Sequence, residues 1–437
     1  MIEVLHITAH LGGGVGKALS GLVRQAAASG SGVRHSIILL EKPEKSQFLD
    51  IARDSESAVY ITPDATELQR LVTAADVVQL EWWNHPATIG CLCQTDFPAM
   101  RLLVWSHVSG LGNPIIPPRL VKAAHRFLFT SPCSCEGTDM KELPDEVKDK
   151  LGVVSSSGGF DGLPVPSDAA RDKVSVGYFG SLNFAKLHPQ YVEFLAAVRN
   201  PTFHVEVIGD LTNRDILERQ CRKAGRPGLL NFLGYRADIA AALSSLNVLA
   251  YLLNPEHYGT TENALLEAMS MGIVPIVLDN PAERCIIEDG KTGLIVGSPI
   301  EFADAISWLE QHPEEHRRLS LQTAESVRSR FTVEKMESSL TGYYRSILSA
   351  DKKKIAFRDI FGTGPAEWFL SCQKNPGTFR NDGTVALATD SFGVYSLMEE
   401  TKGTALHFSR NFPLDPLLRL WSEALTTANS AASTTAA

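Results

Sequence analysis

Residues 257–277 read HYGTTENALLEAMSMGIVPIV, and this stretch indicates the type of fold. Its middle part predicts a helix over 261–271, and the apolar run after that helix predicts a strand. Gly272 is typical of the residue that ends a helix before a strand begins. Thr260 or Thr261 is suited to cap the first turn. The free amides and the dipole at such a helix start favour an anion such as a phosphate.

Short apolar runs and helical patterns alternate on both sides of this stretch. Strand, helix and strand in that order are typical of a parallel sheet covered by helices on both faces. The pattern occurs twice, so we predict an α/β chain with two doubly wound, Rossmann-like domains, which bind ligands beyond the carboxyl ends of their strands. The predicted strands are 2–8, 35–40, 58–62, 76–81, 101–106 and 126–131 in the first domain, and 175–181, 204–210, 229–234, 247–253, 273–279 and 293–297 in the second.

The domain boundary is predicted within 151–173, which is rich in Ser, Gly and Pro. We expect an N-terminal domain over 1–165, a C-terminal domain over 166–330 and a closing helix over 331–350. An extension of unknown role then covers 351–437, with a low-complexity end that we expect to be disordered. The extension is expected to pack on the second domain; binding a partner and peripheral contact with a membrane surface are the alternatives.

The composition is typical of a globular enzyme. The chain has 437 residues, a formal net charge of -9 and 44% hydrophobic residues, which does not favour a broad nucleic-acid surface. No apolar run reaches the roughly 20 residues that span a membrane, and the chain starts with a strand pattern rather than a secretory signal. The seven cysteines have no disulfide or zinc spacing, which favours reduced thiols. We therefore expect a cytoplasmic protein that binds no nucleic acid.

A glycine-rich segment, HLGGGVGKALSGL at 10–22, follows the first predicted strand and opens a predicted helix. Gly13, Gly14 and Gly16 would let the backbone approach a ligand closely. The segment fits neither the GxGxxG dinucleotide pattern nor a P-loop, because the GKS/T ending is missing. A tight turn between strand and helix, without a ligand, is the alternative interpretation.

Polar residues that could take part in binding or catalysis lie near other strand ends and in the predicted helix of 261–271. His107 ends a predicted strand and could bond a hydroxyl or an oxyanion, or be an ordinary core or surface histidine. Lys186 lies before a predicted helix and suits a phosphate, or is simply solvated. Glu267 could accept hydrogen bonds from a vicinal diol such as a ribose, or lie on the helix surface. Glu262 could instead complement the helix dipole.

Three segments resemble the C-terminal domain of retaining GT-B glycosyltransferases of family 4 (group 1): ALLEAMSMGIVPIVLDN (264–280), IIEDGKTGLIV (286–296) and FGSLNFAKL (179–187). The resemblance implies the GT-B fold, with two Rossmann-like domains facing a cleft. It also implies retaining transfer of a hexose from a nucleotide-diphosphate sugar to a glycan or another hydroxyl acceptor. No metal or other cofactor is expected, and polysaccharide or envelope-glycan synthesis is the expected setting.

The resemblance also implies roles for individual residues. His107 would lie near the transferred sugar and Lys186 at the diphosphate, and these two are the expected catalytic residues. Glu267 would bind the ribose, and the helix-start amides would bind the phosphates. The 235–236 turn would lie at the nucleobase, and the glycine loop would close over the donor. The expected donor-binding residues are Gly13, Gly14, Gly16, Tyr235, Arg236, Glu262, Asn263, Ala264, Leu265 and Glu267, with no metal ligand.

Two positions depart from the family pattern. Gly259 stands where the family has the first glutamate of a pair, and Ser181 stands where it has a diphosphate arginine. Glu256, His257 or Glu262 could replace the missing glutamate. The departures keep open a non-catalytic relative that acts as a binding module. Another GT-B enzyme, such as a sugar-nucleotide epimerase or a phosphorylase, is a further alternative; a dinucleotide-dependent oxidoreductase is disfavoured by the broken glycine pattern.

Overall fold

A computed structural model describes residues 1–166, 173–387, 392 and 394–435 of the chain, with side chains up to 428. The contacts group these residues into two units. Unit 1 comprises Met1–Gly159, Tyr258–Thr260 and Val333–Ala437, and unit 2 comprises Phe160–His257 and Thr261–Thr332. Part of the predicted boundary segment, residues 167–172, lies outside the described residues.

Unit 1 contains a parallel sheet of seven strands in the order β3-β2-β1-β4-β5-β6-β7. The chain starts in the middle of the sheet and winds outward in both directions, as the alternating pattern predicts. The short last strand was not among the predicted ones. The strands are β1 (Ile2–Thr8), β2 (Val33–Leu39), β3 (Ala58–Ile61), β4 (Val77–Trp82), β5 (Leu102–Ser106), β6 (Arg126–Phe129) and β7 (Leu151–Val153).

The helices of this part of unit 1 connect successive strands. Side chains cap several of them, and the Asp64 carboxylate, for example, accepts a 2.9 Å hydrogen bond from the Glu67 amide. The helices are α1 (Gly13–Ser29), α2 (Gln47–Asp54), α3 (Ala65–Ala74), α4 (Pro86–Gln94), α5 (Pro118–Ala123), α6 (Thr138–Lys141) and α7 (Asp145–Lys148), with a 3₁₀ turn at Pro132–Glu136.

Unit 2 contains a parallel sheet of six strands in the order β10-β9-β8-β11-β12-β13. The strands are β8 (Val176–Gly180), β9 (Val205–Gly209), β10 (Leu230–Gly234), β11 (Val248–Tyr251), β12 (Val274–Leu278) and β13 (Leu294–Val296). The helices are α8 (Tyr191–Ala196), α9 (Arg214–Lys223), α10 (Ile239–Leu243), α11 (Asn263–Ser270), α12 (Pro281–Arg284), α13 (Pro299–Gln311) and α14 (Pro313–Arg330). The two sheets confirm the predicted pair of doubly wound α/β units.

The chain then returns to unit 1. Leu340 and Tyr344 of the next helix share a hydrophobic core with Leu19 and Leu22 of α1. That helix is α15 (Val333–Ile347), which lies within the predicted closing helix of 331–350. The remaining elements belong to the predicted extension: α16 (Phe357–Phe361), α17 (Pro365–Leu370), α18 (Val394–Leu397), α19 (Ala405–Asn411) and α20 (Pro416–Thr435), with a 3₁₀ turn at Pro376–Thr378.

The extension completes the core of unit 1. Trp368 and Trp421 are buried in one cluster with Trp82 of β4 and Ile89 of α4. The ring of Phe361 stacks on that of Trp82 with centroids 5.5 Å apart. The expectation that the extension packs on the second domain is therefore wrong. Its aromatic residues cover an apolar face of the first sheet, and their burial stabilises this arrangement.

Two further details differ from the sequence expectations. Helix α1 begins at Gly13 rather than at residue 16. Helix α20 continues to Thr435, where disorder was expected, and the alanines of this segment favour helix. Among the described residues, no helix is both long and apolar enough to cross a membrane.

Candidate active site

A series of hydrogen-bonded side chains crosses the sheet of unit 1. His107 follows β5, and its Nε2 lies 2.7 Å from Oε2 of Glu81 on β4. Oε1 of Glu81 is 2.9 Å from Nδ1 of His6 on β1. Nε2 of His6 is 2.8 Å from Nδ1 of His35 on β2. Because Glu81, His6 and His35 are buried, His107 is the end of the series nearest to solvent.

The charge of Glu81 fixes the ring protons of its neighbours. Burial alone would raise the pKa of Glu81, but hydrogen bonds from His107 and His6 outweigh burial and lower the pKa to about 2. An ionised carboxylate only accepts hydrogen bonds, so His107 carries a proton on Nε2 and His6 carries one on Nδ1. Gln79 also donates to Glu81 at 2.7 Å and accepts from the Tyr344 hydroxyl at 2.6 Å. Nδ1 of His107 is thus the ring nitrogen that does not bond Glu81.

A second polar cluster contains the side chains in the described part of the chain that could hold a metal ion. His10, Glu41 and His85 follow β1, β2 and β4, and their ligand atoms lie within 4.8 Å of one another. Two features oppose a cation. The Ala87 amide donates to Nδ1 of His85, which places the ring proton on Nε2, the nitrogen 3.6 Å from Glu41. The positive charge of Lys402, which after burial is the next cause that lowers the pKa of His10, would also repel a cation. Metal-independent chemistry stays a prediction.

In unit 2, a short loop after β8 positions Lys186. The Lys186 amide donates to the Asn183 carbonyl at 3.1 Å, and the Lys186 carbonyl accepts from the Asn254 amide at 2.7 Å. The Asn254 side chain donates to the Phe184 carbonyl at 2.8 Å. These bonds tie the loop to the segment that follows β11. Lys186 therefore lies at the carboxyl ends of two adjacent strands, where the fold places ligands.

The Lys186 ammonium is paired with a buried glutamate. Its Nζ is 2.6 Å from Oε2 of Glu262, whose side chain is 4% exposed. The same oxygen accepts a 2.8 Å hydrogen bond from the Tyr251 hydroxyl. Burial alone would raise the pKa of Glu262, but the charges of Lys186 and His257 and the hydrogen bonds outweigh burial and lower it. An anionic ligand of Lys186 must therefore compete with an ionised carboxylate.

His257 extends this group towards α12. Its Nδ1 is 3.9 Å from Oε1 of Glu262, and its Nε2 is 3.2 Å from Oε2 of Glu283. Burial alone would lower the pKa of His257, but Glu283 and Glu262 outweigh burial and raise it. Glu283 is fully buried, and its Oε1 has no hydrogen-bond partner among the described residues. Two carboxylates thus face one ammonium and one imidazole in a closely paired group.

The start of α11 differs from the sequence expectation. Glu262 occupies the cap position before Asn263, and its side chain makes no capping bond. The expected threonine cap at Thr260 or Thr261 is therefore wrong, and so is the placement of Glu262 in the first turn. The carboxylate of Glu262 bonds the Lys186 ammonium and the Tyr251 hydroxyl instead.

The predicted phosphate-binding amides do begin α11. Leu266 is the first residue whose amide bonds back within the helix, to the Glu262 carbonyl, so the amides of Asn263, Ala264 and Leu265 belong to the open first turn. Asn263 and Ala264 are half-buried, and Leu265 is buried. Glu267 lies in the second turn and is 7% exposed. The ribose role of Glu267 stays a prediction.

The two remaining predicted groups are the 235–236 turn in unit 2 and the glycine loop in unit 1. Tyr235 and Arg236 are exposed after the edge strand β10, and β9 separates that strand from β8. Gly13 and Gly14 are exposed in the first turn of α1, whereas Gly16 is buried. A Cβ on Gly16 would stand 2.7 Å from the Leu11 backbone, so packing alone requires a glycine there. No contact tests a donor role for these residues.

Ser181 stands at the position of the family's diphosphate arginine and makes different contacts. The Asn183 side chain donates to the Ser181 hydroxyl at 2.8 Å. Burial alone would raise the pKa of Asp210, but hydrogen bonds from Ser181 and Thr212 lower it. Where the family has a cation for the diphosphate, this chain has a hydroxyl that bonds a carboxylate.

Sequence reasoning missed several residues of these clusters. Glu81, His6 and Glu283 were not predicted, although each lies in or just after an apolar strand run. A charged residue inside such a run is the available signal, because buried charges occur almost only with partners.

Comparison with known proteins shows a similarity to glycosyl transferases. Residues 164–325 match the family model described as glycosyl transferases group 1. The chain is 27% identical over 242 residues to the alpha-D-kanosaminyltransferase of Streptomyces kanamyceticus, a match that covers 52% of this chain and 61% of the relative. It is 25% identical over 157 residues to the lipopolysaccharide core biosynthesis glycosyltransferase LpsE of Rhizobium meliloti, covering 36% and 44%. The matches thus span less than two thirds of either relative.

The solved structures give the fold. The crystal structure of HepE from Anabaena in complex with UDP and glucose superposes with a TM-score of 0.61 at 15% identity. The match covers 79% of this chain and 100% of HepE. Together with the two parallel sheets, these matches lead to one conclusion: residues 164–325 are similar to the group 1 glycosyl transferases, and the chain has the GT-B fold.

Proposed function

We propose that this protein is a retaining family-4 glycosyltransferase, which moves a hexose from a nucleotide-diphosphate sugar to a hydroxyl acceptor. The observation that carries the proposal is the Lys186 ammonium, 2.6 Å from Glu262 and beside the open first turn of α11. An ammonium and unpaired helix amides at the carboxyl end of a parallel sheet suit a diphosphate.

The donor reaction needs negative charge to be stabilised as the diphosphate leaves. The Lys186 ammonium and the amides of 263–265 supply fixed donors for that charge. When the diphosphate bonds Lys186, Glu262 keeps the Tyr251 hydroxyl and the nearby His257 as partners. Glu262 can then accept a hydrogen bond from a donor hydroxyl, which would compensate for Gly259 at the family's glutamate position.

Unit 1 contributes His107 to the same proposal. Because Glu81 holds Nε2–H of His107, Nδ1 is available to a hydroxyl of the transferred sugar. No protein nucleophile is assigned. The resemblance implies that the departing phosphate helps to take the acceptor proton, so the proposed role of the chain is to hold the two substrates close rather than to supply a base.

The relatives support the choice of substrates. Their names describe transfer of kanosamine and assembly of a lipopolysaccharide core, and HepE was crystallised with UDP and glucose. These features support a nucleotide-sugar donor and a glycan setting. Metal-independent transfer is part of the same proposal. A cytoplasmic location belongs to the same proposal.

A donor screen tests the proposal. The full chain is mixed with UDP-, GDP-, ADP- and TDP-sugars, with and without a divalent metal, and thermal shift and donor hydrolysis are measured. We expect one donor to raise the melting temperature and to be hydrolysed slowly without metal. Glu267→Ala should lose both signals, whereas Glu310→Ala, on an exposed helix surface, should keep them.

The same screen separates the alternative function. A non-catalytic relative is favoured by Ser181, which bonds Asp210 where the family has an arginine. Donor binding without hydrolysis or transfer to any of a set of glycan acceptors would support that alternative. A chain that binds none of the donors would contradict both interpretations of unit 2.

A further inference from the structure

The C-terminal extension brings two side chains to the carboxyl ends of β1, β2 and β4. The ring of His407 meets that of His85 edge-on, with centroids 4.5 Å apart. Nζ of Lys402 lies 5.9 Å from the ring centroids of both Trp83 and Tyr258. The Tyr258 carbonyl accepts a 2.9 Å hydrogen bond from Ser109, two residues after His107. The extension thus reaches the edge of unit 1 that holds His107.

The loop that carries these residues is held firmly. The Asn84 side chain donates to the Gly403 carbonyl at 3.2 Å. Gly403 has a φ of 70°, and a Cβ there would stand 2.3 Å from the Asn84 carbonyl oxygen. The Thr404 hydroxyl caps α19 by accepting from the His407 amide at 3.2 Å. Only glycine fits this close approach, so Lys402 and His407 are presented at fixed positions.

Hydrogen bonds define what the imidazoles offer. Nδ1 of His85 accepts from the Ala87 amide at 3.1 Å, and Nδ1 of His407 accepts from the Gly403 amide at 3.2 Å. Both rings therefore carry their proton on Nε2. Burial, and then the neighbouring positive groups, lower the pKa of His85 to about 2 and that of His407 to about 4. At neutral pH both are uncharged donors.

One more donor is unused. Nε1 of Trp83 is buried and has no hydrogen-bond partner among the described residues, although a buried polar group is normally paired. The Trp83 residue is half-buried and its ring packs beside His10 and His85, with centroids 4.8 and 4.9 Å away. An unpaired indole donor beside two neutral imidazoles indicates a ligand with oxygen acceptors.

The charges around the cluster narrow the class of ligand. The carboxylates of Glu41 and Glu44 and the ammonium of Lys402 act on this cluster, and two negative charges against one positive charge disfavour a compact anion. A metal cation is opposed by Lys402 and by the proton on Nε2 of His85. A neutral molecule with many hydroxyls suits neutral donors, a carboxylate acceptor and an aromatic ring together.

We propose that Trp83, His85, Lys402, His407 and Glu41 bind a neutral sugar ring of the acceptor, and that the extension completes this site. The inference rests on the proposed function, because it names the acceptor of that reaction as a glycan. Glu41 accepts hydrogen bonds from hydroxyls, and the imidazoles, the indole and Lys402 donate to ring and hydroxyl oxygens.

Ligand-observed saturation-transfer NMR on the full chain tests the proposal. The probes are methyl glucoside and methyl galactoside, with methyl glucuronide as the anionic and glucosamine as the cationic counterpart. We expect a neutral glycoside to bind, and Lys402→Met and Trp83→Leu each to weaken binding at least tenfold. Lys354→Met is the matched control, because that lysine of the extension pairs with Asp96 and is not in the cluster. Glu267→Ala, which disables the donor site, should leave the signal in place.

Several results would overturn the inference. These are an absence of binding of both neutral glycosides at 50 mM, equal binding in Lys402→Met and Trp83→Leu, or tighter binding of the glucuronide. The cluster would be a metal site instead of a sugar site if the protein bound one equivalent of Co²⁺ with visible absorption bands that depend on His10 and His85. If the donor screen is positive and the glycosides fail, only this inference falls; if donor binding fails as well, the proposed function falls with it.

Discussion

The carboxyl ends of the two sheets hold charged groups in different ways. In unit 1, Glu81 projects from β4 and bonds His6 of β1 on one side and His107, just after β5, on the other. In unit 2, Lys186 lies on a loop and Glu262 stands at a helix cap. In the strand-borne group of Glu81 and its histidines, the charges and tautomers are fixed by the protein itself. In the loop-borne group, Lys186 must exchange its partner Glu262 for an anion when the anion binds. Under the proposed function, unit 1 would orient its ligand and unit 2 would respond to the donor.

The units also differ in how the chain completes them. Unit 2 is formed by Phe160–His257 and Thr261–Thr332, whereas unit 1 gathers residues from both ends of the chain. Its core contains Trp368 and Trp421 from the extension. The stability of unit 1 therefore depends on a segment that lies after the family match at 164–325.

The largest effect is expected from Trp421→Ala. Trp421 is fully buried, and its Nε1 donates to the Arg380 carbonyl at 2.8 Å. Removing a buried tryptophan ring leaves a cavity and should lower the free energy of unfolding of unit 1 by about 3–5 kcal/mol. Denaturant unfolding followed by circular dichroism measures this, and limited proteolysis should show unit 2 more resistant than unit 1.

Leu414→Ala is the control, because Leu414 is 95% exposed, and its effect should stay within about 0.5 kcal/mol. If Trp421→Ala were as stable as the native protein, the extension would not be part of the unit 1 core. Equal loss of both units on proteolysis would show that they unfold together.

The fold could be predicted well from the sequence because a parallel sheet buries both of its faces. Continuous apolar runs such as 247–253 and 273–279 therefore marked the strands to within a few residues, as β11 and β12 show. The extension could not be placed. Its aromatic residues indicated that it buries apolar surface, but only the folded structure shows that the surface belongs to β4 and α4.

The next effect is expected from Lys186→Ala, which tests the loop-borne group. Loss of a fixed donor for the leaving diphosphate should lower kcat for donor hydrolysis by about 10²–10³-fold. The variant also leaves the buried Glu262 without its ammonium, so its free energy of unfolding should fall by about 1–3 kcal/mol. Hydrolysis rates and denaturant unfolding give the two values.

The double variant Lys186→Ala with Glu262→Gln separates the two effects. Removing the unpaired carboxylate charge should restore stability but not the rate. If the double variant recovered the rate as well, Lys186 would serve only to balance Glu262, and the diphosphate would need another partner.

The candidate site was predicted only where it resembles a family. Lys186 and the α11 amides came from motif positions, whereas Glu262 was one of three candidates to replace the missing glutamate, and the structure brings these groups together. His107 was predicted from its place at a strand end, but its link to Glu81 and His6 could not be, because these partners are 26 and 75 residues apart in sequence and meet only through sheet pairing. Spacing along one strand gives no information on side chains that meet across three strands.

The smallest effect is expected from Glu81→Gln, which tests the strand-borne group. The amide keeps the shape of the side chain but can no longer hold two imidazole N–H groups as a carboxylate does. At pH 7 the free energy of unfolding should fall by about 1–3 kcal/mol. The Glu3→Gln control removes a partly exposed pair with Arg34 and should cost at most about 1 kcal/mol.

The pH dependence distinguishes lost charge from lost packing. The folded-state pKa of Glu81 is lowered from 4.5 to about 2, so its contribution is complete above pH 4.5 and is lost as the pH falls towards 2. The native protein should therefore lose its advantage over Glu81→Gln within this window, and the two stability curves should converge. Parallel curves down to pH 3 would mean that Glu81 is not held as a carboxylate. The tautomer assigned to His107, and with it the available Nδ1, would then lose its basis.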